Sequence, residues 1–464
     1  MFPATTRIAV LGAGLAGLSA SYRLKLSGID HVVLETAPVA GGVVKTITSD
    51  GMVMDFGPNT MQERHTEVGA LIEALGLSEK RQFAAPAARR RFIVRDGRLA
   101  EAPTSPASFL NTRLLSIRGK ARLLAEPFVR RGGIAGETVE QFASRRFGPE
   151  AAAYLFDPFV SGIYAGRASD LAVGAAFPRL VEIEKEFGSV VLGGIRSRPT
   201  DSERRPDRRS FSFRGGMATL TKRLAEGCQS LQVNTAVTAI AKTERGWQID
   251  WRRGSEAGTL LADAAISTLP PYVYATMPVV PPPLKTLAAT LRYVPVAVVA
   301  LSLPRTAVAH PLNGFGVLVP SSEAGRGRGA LFTSTLFPDR APSDRVLITA
   351  FVGGSRFPED VEKGDDEMLA MVSEQLGGLL GFNEKPALHG VQRWPKAIPQ
   401  YDGGFLKAQA IADDFEAASP SFSLAGNYRS GVAAADAIKS GLDAADAVSK
   451  HLGYATPALP LAAR

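Results

Sequence analysis

The run of apolar and polar positions divides the chain into recognisable segments. Arg7 to Leu11 (Arg-Ile-Ala-Val-Leu) is an apolar run of strand length, closed by Gly12-Ala13-Gly14-Leu15-Ala16-Gly17. A helical period follows to about Ser27 and stops at Gly28, and His31 to Glu35 is a second apolar run. Phe213-Arg-Gly-Gly-Met217 opens a helix expected to reach about Ala225. Leu231 to Ile240 and Ala265 to Thr268 read as strand elements, the second stopped by Leu269-Pro270-Pro271. Tyr293 to Pro304 reads as a buried strand, too short to span a membrane. Towards the far end, Ser421 to Ala425 is a strand, Gly426 to Gly431 a turn and Val432 to Ser449 a helix. Phe109 to Arg131 has the pattern of a basic amphipathic helix, with Leu110, Leu114, Leu115, Leu124 and Phe128 among Arg and Lys. Arg196 to Arg209 is charged, poor in apolar residues and expected to be a loop, and Gly325 to Gly329 a hairpin tip.

The first three segments form a strand–glycine loop–helix–strand unit, the pattern of a dinucleotide-binding fold. Gly12 permits the tight turn, and Gly14 lets a pyrophosphate approach the backbone. Gly17 allows close helix–strand packing, and the helix start at Leu15 and Ala16 offers unpaired N–H groups to the phosphates. Glu35 ends the second strand and can accept hydrogen bonds from ribose hydroxyls, which disfavours a 2′-phosphate. Gly41 and Gly42 follow, with Lys45 and then Gly57-Pro58-Asn59-Thr60. Two residues without side chains would let the loop wrap a cofactor that continues beyond its pyrophosphate, pointing to FAD. The Gly426-Asn427 to Gly431-Val432 turn would aim a helix N-terminus at the flavin N1–C2 edge.

Composition removes other classes. Over 464 residues, 45% hydrophobic and 21% charged residues describe an ordinary globular chain with room for a large core. A single cysteine, Cys228, excludes an internal disulfide, a Cys-based zinc site and an iron–sulfur cluster. The five histidines fall at no ligand spacing, so no metal is expected. Of the net charge of +8, the stretch 81–131 alone supplies +9. That basic segment suits an anionic membrane surface or an acidic small molecule; it lacks the stacking aromatics of a single-strand nucleic-acid binder. The longest uncharged stretch, Ala264 to Leu284, contains six prolines, so no transmembrane helix is expected. With the first strand beginning by Arg7, no cleavable leader is expected either, and the protein is expected to be cytoplasmic, in peripheral contact with a membrane at most.

More specific blocks are Asp157-Pro-Phe-Val-Ser-Gly-Ile-Tyr-Ala-Gly166, Phe177-Pro-Arg-Leu180, Gly314-Phe-Gly-Val-Leu-Val-Pro320, Phe351-Val-Gly-Gly-Ser355, Trp394-Pro-Lys-Ala-Ile-Pro-Gln-Tyr401 and Leu424-Ala-Gly-Asn427. With the glycine fingerprint, they make the chain resemble the flavin amine oxidase superfamily and, within it, the oxygen-dependent protoporphyrinogen oxidases, over nearly the whole length. The resemblance implies FAD-dependent, six-electron oxidation of protoporphyrinogen IX to protoporphyrin IX in haem or chlorophyll biosynthesis, by hydride transfer to flavin with oxygen as acceptor. No acid–base pair is then needed. It implies that Arg91 pairs with a substrate propionate, although Arg89 and Arg90 are not separated from it by the sequence. Leu318, Leu331 and Phe351 match the apolar residues that sandwich the tetrapyrrole. Asn59 matches an asparagine near the reacting centre, and Gly166 a glycine whose carbonyl lies near the substrate, although Arg167 stands where relatives often carry Asp. A strand such as Val233 to Val237 would run past the adenine, with Val237, Thr268 and Trp394 further cofactor contacts.

The expected architecture is α/β. A discontinuous Rossmann-like FAD domain is assembled from about 1–76, 212–275 and 385–464. A sheet-based substrate domain comes from 77–100, 170–211 and 276–384, and a small helical lobe, a candidate membrane contact, from 101–169. The expected partners are a small tetrapyrrole, oxygen and an anionic membrane touched peripherally, with no nucleic acid; a homodimer is left open. Three rival readings stand: the same chemistry on coproporphyrinogen III, a flavin amine oxidase, and a non-catalytic flavin-binding assembly partner.

Overall fold

The computed structural model describes residues 3–196 and 207–459; most of the charged stretch Arg196 to Arg209 lies outside the described residues. Thr5–Leu11 sits at the centre of the first sheet, paired in parallel with His31–Leu34 on one side and Glu256–Ser267 on the other. Its residues Ile8 to Leu11 are wholly buried. A strand covered on both faces must be apolar throughout, which is why this segment shows no alternation. Phe422–Leu424 adds in parallel beyond Glu256–Ser267, and Leu231–Gln232 beyond His31–Leu34. Ala236–Thr243 and Gly246–Arg253 extend the sheet as an antiparallel meander. The helices Leu15–Leu26 and Ala434–His451 pack on this sheet side by side. They come so close that a Cβ on Gly441 would lie 2.0 Å from the Ala16 carbonyl oxygen, so only glycine fits.

The second sheet runs in the order Ala387–Pro399, Tyr293–Pro304, Arg345–Gly353, Gly329–Leu331, Gly316–Leu318, Phe92–Arg95, Arg98–Glu101. The helix Asp365–Leu380 covers one face, where Val299, Leu301, Val317 and Ile348 meet Met368, Val372 and Leu376. The other face looks towards the first sheet: Met52, Met54 and Phe56, from the hairpin Thr46–Ser49/Met52–Asp55, pack on Val298, Ala300 and Leu347. The fold is therefore α/β, with a Rossmann-like sheet and a second sheet laid over it.

Three sequence expectations need correction. Phe109 to Arg131 is not one helix; it forms Pro106–Asn111, Ile117–Leu124 and the 3-10 turn Glu126–Phe128. Ser116 caps the second piece through Gly119 N–H, and Pro127 cannot continue it. Leu114 and Leu115, in the linker, are buried, whereas Ile117 and Phe128 are 87% and 90% exposed. Leu231 to Ile240 is likewise broken: the strand ends at Gln232, Asn234 turns the chain at φ 54°, and pairing resumes at Ala236. The final helix starts at Ala434 and not at Val432, because Ala433 is still extended.

The lobe's pieces are held together by buried charge. Arg146 and Glu126 are both wholly buried and paired, and Arg145 bridges Glu137 and Glu184 at 2.8 Å each. Burial alone would raise the Glu126 carboxyl, but hydrogen bonds from Ser189 Oγ, Val190 N–H, Arg146 and Val191 N–H outweigh it and hold the pKa below the ordinary value.

Candidate functional site

The glycine loop leads into Leu15–Leu26, whose N-cap is Gly14 with no side-chain cap, so the amides of Leu15, Ala16 and Gly17 have no competing side-chain acceptor. Gly42, at φ 59°, faces this loop: a Cβ there would lie 3.1 Å from the Gly14 Cα. With Gly41 beside it, tied through its N–H to the Ala13 carbonyl at 2.8 Å, this makes a cradle walled by backbone. Glu35 is oriented by two amides, Ala13 N–H on Oε2 at 2.7 Å and Ala37 N–H on Oε1 at 2.8 Å, leaving further acceptor capacity for a diol. Thr268 supports the loop from beneath, donating its hydroxyl to the Leu11 carbonyl at 3.0 Å. The Asn234 turn hangs beside Glu35, with Thr235 N–H on the Glu35 carbonyl at 2.7 Å. Val237 thus lies near the start of the strand Ala236–Thr243, and Val233 to Thr235 lie outside it in the turn.

Further along the cradle, Asn59 is buried and donates from Nδ2 to the Gly57 carbonyl at 3.0 Å, while its Oδ1 has no partner. An orphaned buried acceptor points to a missing ligand. Pro58 and Thr60 flank it, half-buried. Lys45 donates to Gln392 Oε1 at 2.8 Å, and Trp394 Nε1 to the Phe56 carbonyl at 2.8 Å. Their polar atoms thus join the hairpin loop to the second sheet. At the other chain end, Gly426 donates to Ser440 Oγ at 3.0 Å, and the Asn427 carbonyl accepts from Tyr401 at 2.8 Å. Gly431 and Val432 precede the uncapped start of Ala434–His451. Asp436, in that first turn, accepts from Arg64 at 2.9 Å and His65 at 3.0 Å; nothing local in the sequence joins these three.

The register of the second sheet decides what its inner face presents. Leu318, Gly329, Phe351, Val298 and Gln392 stand opposite one another across five strands and share one face. Gly316, Leu331, Thr349, Ala300 and Gly390 form the neighbouring row on that same face. Leu318 and Leu331 therefore each face a glycine; both glycines are buried, and a Cβ on either would meet the partner strand's backbone, the Ala330 carbonyl oxygen at 2.1 Å from Gly316 and the Val317 carbonyl oxygen at 2.3 Å from Gly329. The sequence reading missed Gly316 and Gly329, because pairing is visible only in the register. Leu318 also meets the helix Asp157–Tyr164, lying 3.1 Å from where a Gly162 Cβ would be. Leu331 packs beside Phe315 and Phe337, and Phe351 beside Val294, Val296 and Ala165.

The helix Asp157–Tyr164 ends at Ala165 (φ 52°) and Gly166. Gln400, wholly buried, donates to the Tyr164 carbonyl at 2.8 Å, and Ser355 N–H donates to the Ala165 carbonyl at 2.8 Å. These two hold the turn, and Arg167 beside it is exposed. At the opposite end of Gly316–Leu318, the Arg91 guanidinium lies 4.9 Å from the Phe315 ring centre. Surrounding protein lowers its pKa by desolvation, and no carboxylate pairs with it among the described residues. Arg90, by contrast, lies 3.7 Å from Glu101.

The backbone cradle, the orphaned Asn59 acceptor and two uncapped helix starts fit FAD. Comparison with known proteins agrees: the sequence pattern of flavin containing amine oxidoreductases matches residues 15–449. The chain is 35% identical to protoporphyrinogen oxidase 2, chloroplastic/mitochondrial, of Arabidopsis thaliana, covering 93% of this chain and 91% of that protein. It is 26% identical to coproporphyrinogen III oxidase of Bacillus subtilis, covering 93% and 95%. A crystal structure from Exiguobacterium sp. shares the fold with a TM-score of 0.79 at 23% identity, over 96% of this chain and 99% of that one. FAD is the cofactor these findings support, and the chain belongs to the flavin-containing amine oxidoreductase family, as a relative of the protoporphyrinogen oxidases within it.

Proposed function

We propose that the protein oxidises protoporphyrinogen IX to protoporphyrin IX, with FAD as cofactor and oxygen as the final acceptor. The observation that carries this reading is the inner face of the second sheet. It is apolar at Leu318, Leu331 and Phe351, it is tied to the loop after the glycine pair through Gln392 and Trp394, and Arg91, exposed and without a carboxylate partner among the described residues, stands at its end. A flat, apolar, acid-bearing macrocycle matches all of these features. FAD, when bound, supplies the hydride-accepting ring. Gly12, Gly14, Gly17, Gly41, Gly42 and Glu35 hold its dinucleotide part, and Asn59 meets it, or the substrate beside it, with a free acceptor. Leu318, Leu331 and Phe351 bury the macrocycle and exclude water, Gly166 closes the side, and Arg91 binds a propionate through parallel charge-assisted hydrogen bonds. Each of the three two-electron steps passes one hydride to the flavin and releases one proton from the macrocycle to solvent, and the protein's residues serve to bind and orient the ring while this happens.

Coproporphyrinogen III is the second reading, favoured by the arginine-rich stretch 89–91 and by the likeness to the Bacillus subtilis enzyme. The deciding experiment mixes the purified, oxidised flavoprotein anaerobically with each porphyrinogen and with amines. Rapid bleaching by protoporphyrinogen IX is expected; bleaching by amines alone sinks the proposal.

The lobe adds a location. Among the described residues no helix is long and apolar enough to cross a membrane. Exposed Leu110, Ile117, Leu124, Phe128 and Ile134, with Arg118 and Lys120 nearby, suit peripheral docking on an anionic cytoplasmic leaflet, where a lipophilic product would be shed. Replacing Ile117 and Phe128 by Asp should lower liposome binding roughly tenfold or more, from the burial each side chain loses. Cosedimentation unaffected by the pair would count against this location.

A further inference from the structure

Most of the buried charge in this chain has a structural duty. Arg328 donates to the Ser161 carbonyl near the end of the Asp157–Tyr164 helix, Arg340 pairs with Asp55 at 3.2 Å, and Arg146 pairs with Glu126. Asp436 differs in where its carboxylate lies. It stands in the first turn of Ala434–His451, its side chain is 8% exposed, and it accepts from Arg64 Nη1 at 2.9 Å and from His65 Nε2 at 3.0 Å. A Cβ on Gly431 would lie 2.2 Å from Asp436 Oδ2, so the carboxylate is pressed against the turn read above as facing the flavin.

Joining two helices does not require a buried acid at that point. One turn further on, Lys439 reaches Glu67 at 3.6 Å and ties Ala434–His451 to Thr66–Ala74 at the surface. The Asp436 cluster is instead felt at both walls of the site. Burial pushes the phenol of Tyr164, beside Gly166, up to about 12, with Arg64 pulling it down and Asp436 pushing it up. Burial first, then Tyr164 and Asp436, raise the phenol of Tyr401, whose hydroxyl holds the Asn427 carbonyl at 2.8 Å.

Magnitudes show why this placement matters. A helix start carries the equivalent of about half a positive charge. One carboxylate in the first turn more than cancels it, and turns a start suited to a negative ring edge into one that repels it. A single guanidinium restores the sign. The field at the turn is therefore a small difference between larger charges, set by Asp436 and its partners and not by the helix alone.

Resting on the reading that the 426–432 turn faces the flavin N1–C2 edge, we infer that Asp436, held by Arg64 and His65, is a positioning residue for the flavin. Through the helix start it sets how strongly the protein favours negative charge on that edge, and so the driving force for accepting hydride from any porphyrinogen.

The test uses the oxidised holoprotein without porphyrinogen. Sulfite adds its electron pair to the ring and bleaches the 450 nm band, and it binds more tightly as the field at the ring becomes more positive; the midpoint potential is read in parallel against a redox dye. Asp436→Asn removes one negative charge at constant shape. It should tighten sulfite binding about tenfold and raise the potential by about 30 mV, the same factor for a two-electron couple. Arg64→Gln should do the opposite and weaken sulfite binding about threefold, because its side chain is 53% exposed and its charge is screened. Glu67→Gln breaks the surface tie between the same two helices and should change neither quantity. Shifts of the same sign in Asp436→Asn and Arg64→Gln, as a loosened helix would give, overturn the inference, and so does no shift in either. Should Asp436→Asn fail to fold, Arg64→Gln set against Glu67→Gln decides alone. Variants that shift as expected in a protein that no porphyrinogen bleaches would sink the proposed function and leave this inference standing; unshifted variants of a protein that porphyrinogen does bleach would do the reverse.

Discussion

The two sheets divide the labour between backbone and side chain. Around the first sheet the ligand-facing parts are glycine loops and helix starts, and the polar side chains present mostly brace the chain itself: Glu35 holds the Ala13 and Ala37 amides, and Thr268 holds the Leu11 carbonyl. On the second sheet the positions are reversed. Its backbone is consumed by the ladder, and what faces inward is a set of side chains whose spacing the register fixes. A site of the first kind should tolerate change badly but uniformly; one of the second kind should yield graded, ligand-specific losses.

Three substitutions sharpen that contrast, the most severe first. Gly42→Val places a side chain at a left-handed φ, costing about 1–2 kcal/mol, and fills the cradle against Gly14. The expected product is folded and colourless, as read from the 450 nm absorbance per chain; full flavin content would show that the cradle is elsewhere. Arg91→Ala should raise KM for the porphyrinogen roughly thirtyfold, from the loss of about 2 kcal/mol of charge-assisted hydrogen bonding, with flavin retained. Unchanged kinetics would remove Arg91 from the slot. Leu318→Ala trims a half-buried side chain on the inner face and should cost about 1 kcal/mol of binding, a several-fold rise in KM. A loss of flavin in that variant would mean that the two sheets do not divide the work in this way.

What the sequence made legible follows the same line. The strand, glycine loop and helix from Thr5 to Leu26 could be read locally, because each residue's requirement is local. Tyr293–Pro304 matched its apolar run to the residue. Phe109 to Arg131 misled, because apolar residues continue at helical spacing while Ser116 restarts the helix and Pro127 stops it; a period does not show where the axis turns. Leu318, Leu331 and Phe351 were chosen by resemblance, and their common face is now visible, but the glycines opposite them required the pairing. Arg328 carried no local mark at all, since burial of a lone arginine is decided by segments far away in sequence.

The close seating of Gly441 against Ala16 has a bearing on biogenesis. On the ribosome, the phosphate-binding loop emerges early, yet its supporting layer is completed only by residues 422–451, several hundred positions later. At translation rates of roughly 5–20 residues per second, the nascent nucleotide site must wait tens of seconds with an apolar flank uncovered. Holdase protection during synthesis, and flavin capture as a late and terminal event, are the physiological demands of such a wiring.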